Sequence, residues 1–402
     1  FTDEPQYYRY GTPWSDTFPT RFREEYGYDV KDNLVAMFFE CEGYQEFRYD
    51  YYRLCHRSFI FNFIKRIYDW CEANGCRLTG HAVEELDLNG EMFGCGGIMP
   101  FYMYEHIPGI DFLTRGRVGD AGFRQLGSAA AQLGKKEALS EMFACCGHDV
   151  APVELKRIAE HQYVNGINLM CQHLYPYSIR GQRKRDYPCH YSEHLPWQDD
   201  MKEFNTYFNR LGCALAMGKE DVRVLVIHPV HSAWLTYQRT AGNQSVEKLN
   251  NDFQALTDLL ATRQIPFHFG DETMMETMAS VEGQKIRVGE CVYDTVIVPA
   301  MDNLDRNTAD LLRAFIEAGG KVWLYGKCPC RISGKPTAMD WLRSTTTLED
   351  VCASLPVHFW GKDANEMRVS VRDTEYGRRY DFEHITSYEE YKQKVPVITG
   401  AG

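Results

Sequence analysis

The chain of 402 residues carries 44 Lys and Arg against 56 Asp and Glu, a formal charge of −12. That balance argues against a protein that grips nucleic acid through its phosphates. Hydrophobic content of 44% and charged content of 25% are those of an ordinary globular protein, and no stretch approaches the roughly 18 apolar residues of a membrane span.

Residues 1–219 alternate short apolar runs with helical patterns. Phe1-Thr-Asp-Glu-Pro5 reads as a strand end. The clearest helix of the long amphipathic stretch that follows is Tyr51–Cys71, with apolar spacing at Phe59, Phe63, Ile67 and Trp70. Asn74-Gly75 is a helix stop, and Arg77-Leu-Thr-Gly-His81 the second strand. Gly109–Leu113, Glu137–Glu141 and Gly166–His173 are the third to fifth strands. Helices Phe123–Leu133 and Val153–Val164, the second opened by Pro152, lie between them, and Asp200–Met217 closes the region.

Strand alternating with helix predicts a parallel sheet covered by helices. Each strand ends in polar residues: Asp3-Glu4, His81, Asp111, Ser140-Glu141 and Gln172-His173. A (β/α)₈ TIM barrel gathers its site in this way, at the carboxyl ends of its strands. Five strands are read here against the eight of a closed barrel, and the chain opens at Phe1 without Met. The expectation is a barrel whose first strands precede residue 1.

A boundary is predicted at Gly218–Asp221. Val222–Pro229, Tyr293–Pro299 and Lys321–Gly326 then read as strands, and Ser245–Arg263 and Thr308–Ala318 as helices, with Ser245 as a capping signal. This predicts a flavodoxin-like α/β domain over 220–335. His228-Pro-Val-His231 stands where a glycine-rich phosphate loop would follow the first strand, which disfavours a nucleotide. Residues 336–402 begin a further region, with a helix expected over Asp340–Leu355 and an exposed strand over Met367–Arg372.

Fourteen cysteines show no disulfide framework and predict free thiols in a reducing compartment. Hence a cytoplasmic location is expected, or a periplasmic one if the N-terminus is truncated. Cys328-Pro-Cys330 and Cys145-Cys146-Gly-His148 have the look of metal fragments but lack a second half at zinc spacing.

The chemistry is expected from Glu4 and Glu141. Cleavage of a glycosidic bond needs one acid to protonate the leaving oxygen and one carboxylate to attack or activate water. His81 with Glu84-Glu85 has a His-x-x-Glu spacing that suits a hydroxyl or a metal. His173 with Tyr175 is similar. Trp14, Tyr7, Tyr8, Tyr102 and Trp197 are candidate sugar platforms, though core packing is the commoner fate of such rings.

Phe1-Thr-Asp-Glu-Pro5, Pro13-Trp14, Phe22–Asp29, Thr79-Gly-His81, Leu139-Ser-Glu-Met-Phe143, Asn165–Asn168 with Gln172-His173, and Gly181–Pro188 together resemble family 106 α-L-rhamnosidases. Val296-Ile-Val-Pro299 and Ala318-Gly-Gly320 are similar to the domain that follows the barrel in family 42 β-galactosidases. The resemblance covers roughly residues 1–330. It implies a bacterial glycosidase acting on plant or algal polysaccharide, an α-L-rhamnoside first, with Glu4 as proton donor and Glu141 as base or nucleophile. Asp3, His81, Asp111 and His173 would bind hydroxyls, with Trp14, Glu84 and Tyr175 beside them. Family 106 implies calcium and inversion, and family 42 implies retention. No other cofactor is assigned, and the metal ligands are left unplaced. The partner expected is an oligo- or polysaccharide, with no nucleic acid or membrane, and a homo-oligomer is compatible with it. Two rivals stand beside this reading: a carbohydrate-binding barrel without catalysis, and a metal-dependent hydrolase using His81, Glu84 and His173.

Overall fold

The computed structural model describes residues 1–7, 11–116, 119–185, 187–240, 242–355 and 367–384, the last seven by backbone alone. Tyr8 lies outside them.

The first five strands fall where the apolar runs placed them: β1 Thr2–Asp3, β2 Gly80–His81, β3 Gly109–Phe112, β4 Leu139–Met142 and β5 Leu169–Gln172. β1 pairs parallel with β2, and β3, β4 and β5 pair parallel in that order. A parallel bridge from Thr79 to Ile107 joins the two sets. The described residues thus form five parallel strands side by side rather than a closed barrel.

Helices cover the connections: α1 Phe18–Tyr26, α2 Tyr44–Phe59 and α3 Lys65–Ala73 between β1 and β2, α4 Leu88–Gly94, α5 Ala121–Gln132, α6 Pro152–Val164, and α7 Met201–Leu215 after β5. Asn74 caps α3, and Gly75 turns the chain at φ +66°. Pro152 occupies the first turn of α6, where its missing N–H costs nothing.

The long helix expected over Tyr51–Cys71 is α2 and α3 joined by a π-helical turn, Ile60–Ile64. That turn advances the helix face. Ile60 and Ile64 become fully buried, whereas Phe63 and Trp70, expected on the apolar face, are exposed. The buried face of α2 is aromatic. Tyr49, Tyr51 and Tyr52 join Tyr7, Phe18, Phe22 and Phe47 in one cluster that reaches Trp234 and Tyr237. Aromatic residues make up 13% of the chain, and this cluster places many of them in the core. Tyr7 and Tyr102 are buried rather than platforms, and the Trp197 indole donates to Val150 O at 3.1 Å.

The next strands are β6 Lys219–Glu220, β7 Val224–Ile227, β8 Phe267–Gly270, the antiparallel meander β9 Ala279–Glu282, β10 Lys285–Val288 and β11 Cys291–Tyr293, then β12 Thr295–Val298, β13 Asn303–Leu304 and β14 Lys321–Leu324. β14, β12, β7 and β8 form a parallel sheet in that order. The helices are α8 Val230–Ala233, α9 Gln244–Thr262, α10 Glu272–Met278 and α11 Arg306–Glu317. Asn243, not Ser245, is the residue before α9. Its side-chain oxygen accepts from Gln238 N instead of capping the helix.

Strand β8 is a sheet edge, and an edge leaves backbone groups to be satisfied. Helix α5 does this with three residues spaced four apart. Arg124 Nε donates to Phe267 O at 2.6 Å, Ser128 Oγ accepts from Phe269 N at 2.9 Å, and Gln132 Nε2 donates to Phe269 O at 2.8 Å. A helix stripe from the first unit thereby seals the second sheet, which explains why α5 is Ala-rich yet buried nearly all round.

The helix expected over Asp340–Leu355 forms only at Leu348–Ser354. The preceding residues line the edge of β14 instead: Thr345 N donates to Val322 O, and Ser344 Oγ accepts from Leu324 N. β15 Arg331–Ile332 and β16 Lys335–Pro336 pair beside β13, and β17 Met367–Thr374 lies between β18 Gly377–His384 and β6. The strand expected to be exposed over Met367–Arg372 is thus paired with β18 along its length and with β6 at its Arg372 end, with Val371 and Ser370 buried. No helix among the described residues is long and apolar enough to cross a membrane.

Candidate active site

The parallel registers bring the polar strand ends into one row. Asp3 lies beside His81, and Asp111 beside Glu141. His81 is the hub and is fully buried. Its Nε2 lies 2.5 Å from Glu141 Oε2 and 3.7 Å from Asp3 Oδ1, and its Nδ1 lies 3.1 Å from Ala82 O and 3.9 Å from Asp111 Oδ2. His173 Nε2 stands 3.9 Å from Glu141 Oε1.

Burial opposes a charge on His81, yet the hydrogen bond to Glu141 and the carboxylates of Glu85 and Asp111 outweigh it and raise the imidazole to about 9. Both ring nitrogens then donate, one to Glu141 and one to Ala82 O. The same bond holds the Glu141 carboxyl below its ordinary range, against burial. Burial drives Asp111 the other way, up to about 8, so it carries a proton at neutral pH. Two carboxyl groups side by side on β3 and β4 are thereby set in opposite protonation states, the arrangement that acid–base chemistry needs.

Glu4 is exposed and lies close enough to act electrostatically on both Asp111 and Glu85. In the first unit four non-glycine residues just past strand ends hold positive φ: Glu4 at 50°, Glu84 at 60°, Phe143 at 80° and Cys145 at 58°. Each such conformation costs about 1–3 kcal/mol, and such strain collects at functional sites.

Of the residues expected here, Asp3, His81, Asp111, Glu141 and His173 are brought together, with Glu4 beside them. Glu84 is not in the cluster. It is exposed, and its neighbour Glu85 takes the place beneath His81. Glu85 Oε1 accepts from Ala82 N at 2.9 Å and Oε2 from Asp111 N at 3.3 Å, and burial pushes it up to about 7. Trp14 packs on Phe18, and Tyr175 donates to Glu193 Oε2 at 3.3 Å. With Glu84 outside, His81, Glu84 and His173 make no metal-ligand set among the described residues. Asp3, His81 and Glu141 do offer three atoms within 4.8 Å. One is an imidazole nitrogen already donating to Glu141, however, whereas calcium takes six to eight oxygens. The donor set does not fit calcium. All fourteen cysteines are free thiols.

Sequence reasoning missed a second buried cluster. His231 Nδ1 lies 3.0 Å from Asp305 Oδ2, Tyr49 OH donates to Asp305 Oδ1 at 2.7 Å, and Glu272 Oε2 accepts from Asp305 N at 2.6 Å. The His231 ring stacks on Trp234 with centroids 3.8 Å apart. Asp305 and Glu272 outweigh burial and raise His231 to about 9. These contacts tie α2 to the second sheet; the only sequence signal was the histidine pair replacing a phosphate loop.

No protein-family model and no curated protein sequence matches this chain. Solved structures do. The fold is similar to that of a rhamnosidase from Novosphingobium sp. PP1Y, with TM-score 0.66 and 16% identity, over 91% of this chain and 37% of that one. It is similar to a β-galactosidase from Bacillus circulans sp. alkalophilus, with TM-score 0.56 and 13% identity, over 83% and 52%. An exo-carrageenase of family 42 from Bacteroides ovatus gives TM-score 0.56 and 9% identity, over 84% and 50%. The chain shares its fold with these proteins and spans about half or less of their length.

Proposed function

We propose that this protein hydrolyses glycosidic bonds, with Glu141 as the ionised carboxylate that attacks the sugar or activates water and Glu4 as the proton donor. The observation that carries the reading is the His81–Glu141 hydrogen bond at the carboxyl end of a parallel sheet. It keeps one carboxylate charged at the open end of the strands, where barrel enzymes place their chemistry. Asp111, protonated, is placed to donate to a substrate hydroxyl, and His173 and Asp3 complete the rim. An α-L-rhamnoside of a plant or algal polysaccharide is the leading substrate, on the motifs of residues 1–188 and the likeness to a rhamnosidase. A β-galactoside is the second reading, on the likeness to family 42 structures. We place the division between units near residue 219 and read the second as flavodoxin-like, on its strand order.

A panel of nitrophenyl glycosides tests this. Release of nitrophenol from the α-L-rhamnoside is expected, and proton NMR of the first-formed anomer separates inversion from retention. No release from any glycoside of the panel would contradict the proposal.

A further inference from the structure

We propose that residues 174–185, with Tyr187, form a subsite for a negatively charged sugar unit, one bearing a carboxylate or a sulfate ester, so that the polysaccharide attacked is acidic. This rests on the glycosidase reading of the adjoining site.

The segment leaves β5 at His173, whose Nε2 stands 3.9 Å from Glu141 Oε1. It returns at Tyr187, whose ring packs 5.9 Å from the His173 ring, and Pro188 O accepts from Gly147 N at 3.1 Å. Midway, Lys184 O lies 2.7 Å from His148 Nε2. Gly147 and His148 follow β4, the strand that carries Glu141. Both ends and the middle are therefore pinned beside the carboxyl ends of β4 and β5, two of the strands that form the candidate site.

Arg180, Arg183, Lys184 and Arg185 all lie exposed on this segment, four positive charges in six residues of a chain whose net charge is −12. No carboxylate among the described residues pairs with any of the four, whereas the half-buried Arg115 nearby is held by Asp149 and Glu154. Like charges this close repel one another, and a counter-charge from outside relieves that cost. Guanidinium groups present paired N–H donors that match a carboxylate or sulfate. Tyr177, fully exposed, and Tyr187 supply ring faces of the kind on which a sugar's apolar face lies. Nucleic acid would meet the rest of a strongly acidic surface, whereas a single glycan chain need touch only this rim.

The test is binding, measured by isothermal titration with polygalacturonate for the carboxylate arm, κ-carrageenan for the sulfate arm, and dextran as the uncharged control. The acidic chains are expected to bind at least about tenfold tighter than dextran, with affinity falling as salt rises. The tighter of the two identifies the acidic group. In the R180Q/R183Q/R185Q protein that preference should fall by about tenfold while the melting temperature holds. Equal binding of dextran and the acidic chains, binding undiminished in the triple variant, or RNA bound as tightly as the glycans would each overturn the proposal. Acidic binding without hydrolysis of any nitrophenyl glycoside would leave this subsite and remove the proposed function. Hydrolysis without preference for acidic chains would do the reverse.

Discussion

Gly109→Ala tests how the packing of backbone against backbone sets the candidate site. A Cβ on Gly109 would fall about 1 Å inside the closest approach that such an atom makes to a carbonyl oxygen, against Gly80 O. Gly80 cannot retreat freely, because on its other side it already lies against the backbone and hydroxyl of Thr2. The relief must come as a shift of β2, and β2 ends in His81. A shift of about 1 Å lengthens the His81–Glu141 hydrogen bond from 2.5 Å beyond hydrogen-bonding range. Overpacking of this kind costs about 1–3 kcal/mol, and a catalytic group misplaced by about 1 Å costs about a hundredfold in rate. With its partner withdrawn, the His81 imidazole should fall from about 9 toward its ordinary value near 6.5. NMR titration of the His81 ring, assigned by its loss in His81→Gln, reads the shift directly, and melting temperature and nitrophenyl glycoside turnover accompany it. An unchanged His81 titration with unchanged turnover would refute the reasoning.

Two further predictions concern buried charge. Glu220 accepts from Arg124 at 2.8 Å and faces His268 at 3.1 Å, all buried, so Glu220→Ala leaves a cation unpaired and should destabilise by about 3–5 kcal/mol in urea unfolding. A loss under about 1 kcal/mol would mean that water reaches the site. Glu85 binds its proton more tightly folded than unfolded, so its contribution is full below the unfolded value near 4.5 and is lost as pH rises through about 7. The stability of the native protein relative to Glu85→Gln should therefore decline between pH 5 and 8, by about 3 kcal/mol at most. A rise across that window would show that Glu85 is held charged.

Much of the first unit was legible because its signals are local. Each of the five strands is an apolar run ending in polar residues, and Pro152 and Gly75 mark helix ends in one residue each. Because parallel strands align their carboxyl ends, reading the strands also brought Asp3, His81, Asp111, Glu141 and His173 together. What escaped depends on single-residue phase or on distant partners. A π-helical turn moved the buried face from Phe63 and Trp70 to Ile60 and Ile64. The left-handed turn at Glu84 decided that Glu85, not Glu84, enters the site. The use of Arg124, Ser128 and Gln132 to close the edge of β8 joins residues more than a hundred positions apart. Nothing in the local pattern of α5 announces it. Residues 340–347 follow a helical rhythm, yet the open edge of β14 claims their donors and acceptors.

Glu141→Gln is the most direct test of the whole account. The amide matches the carboxyl in shape, and its oxygen can still accept from His81, so the melting temperature should hold within a few degrees. Hydrolysis of the best nitrophenyl glycoside should fall by at least about a thousandfold. Turnover within about tenfold of the native rate, in a variant equally well folded, would show that the carboxylate beside His81 does no chemistry.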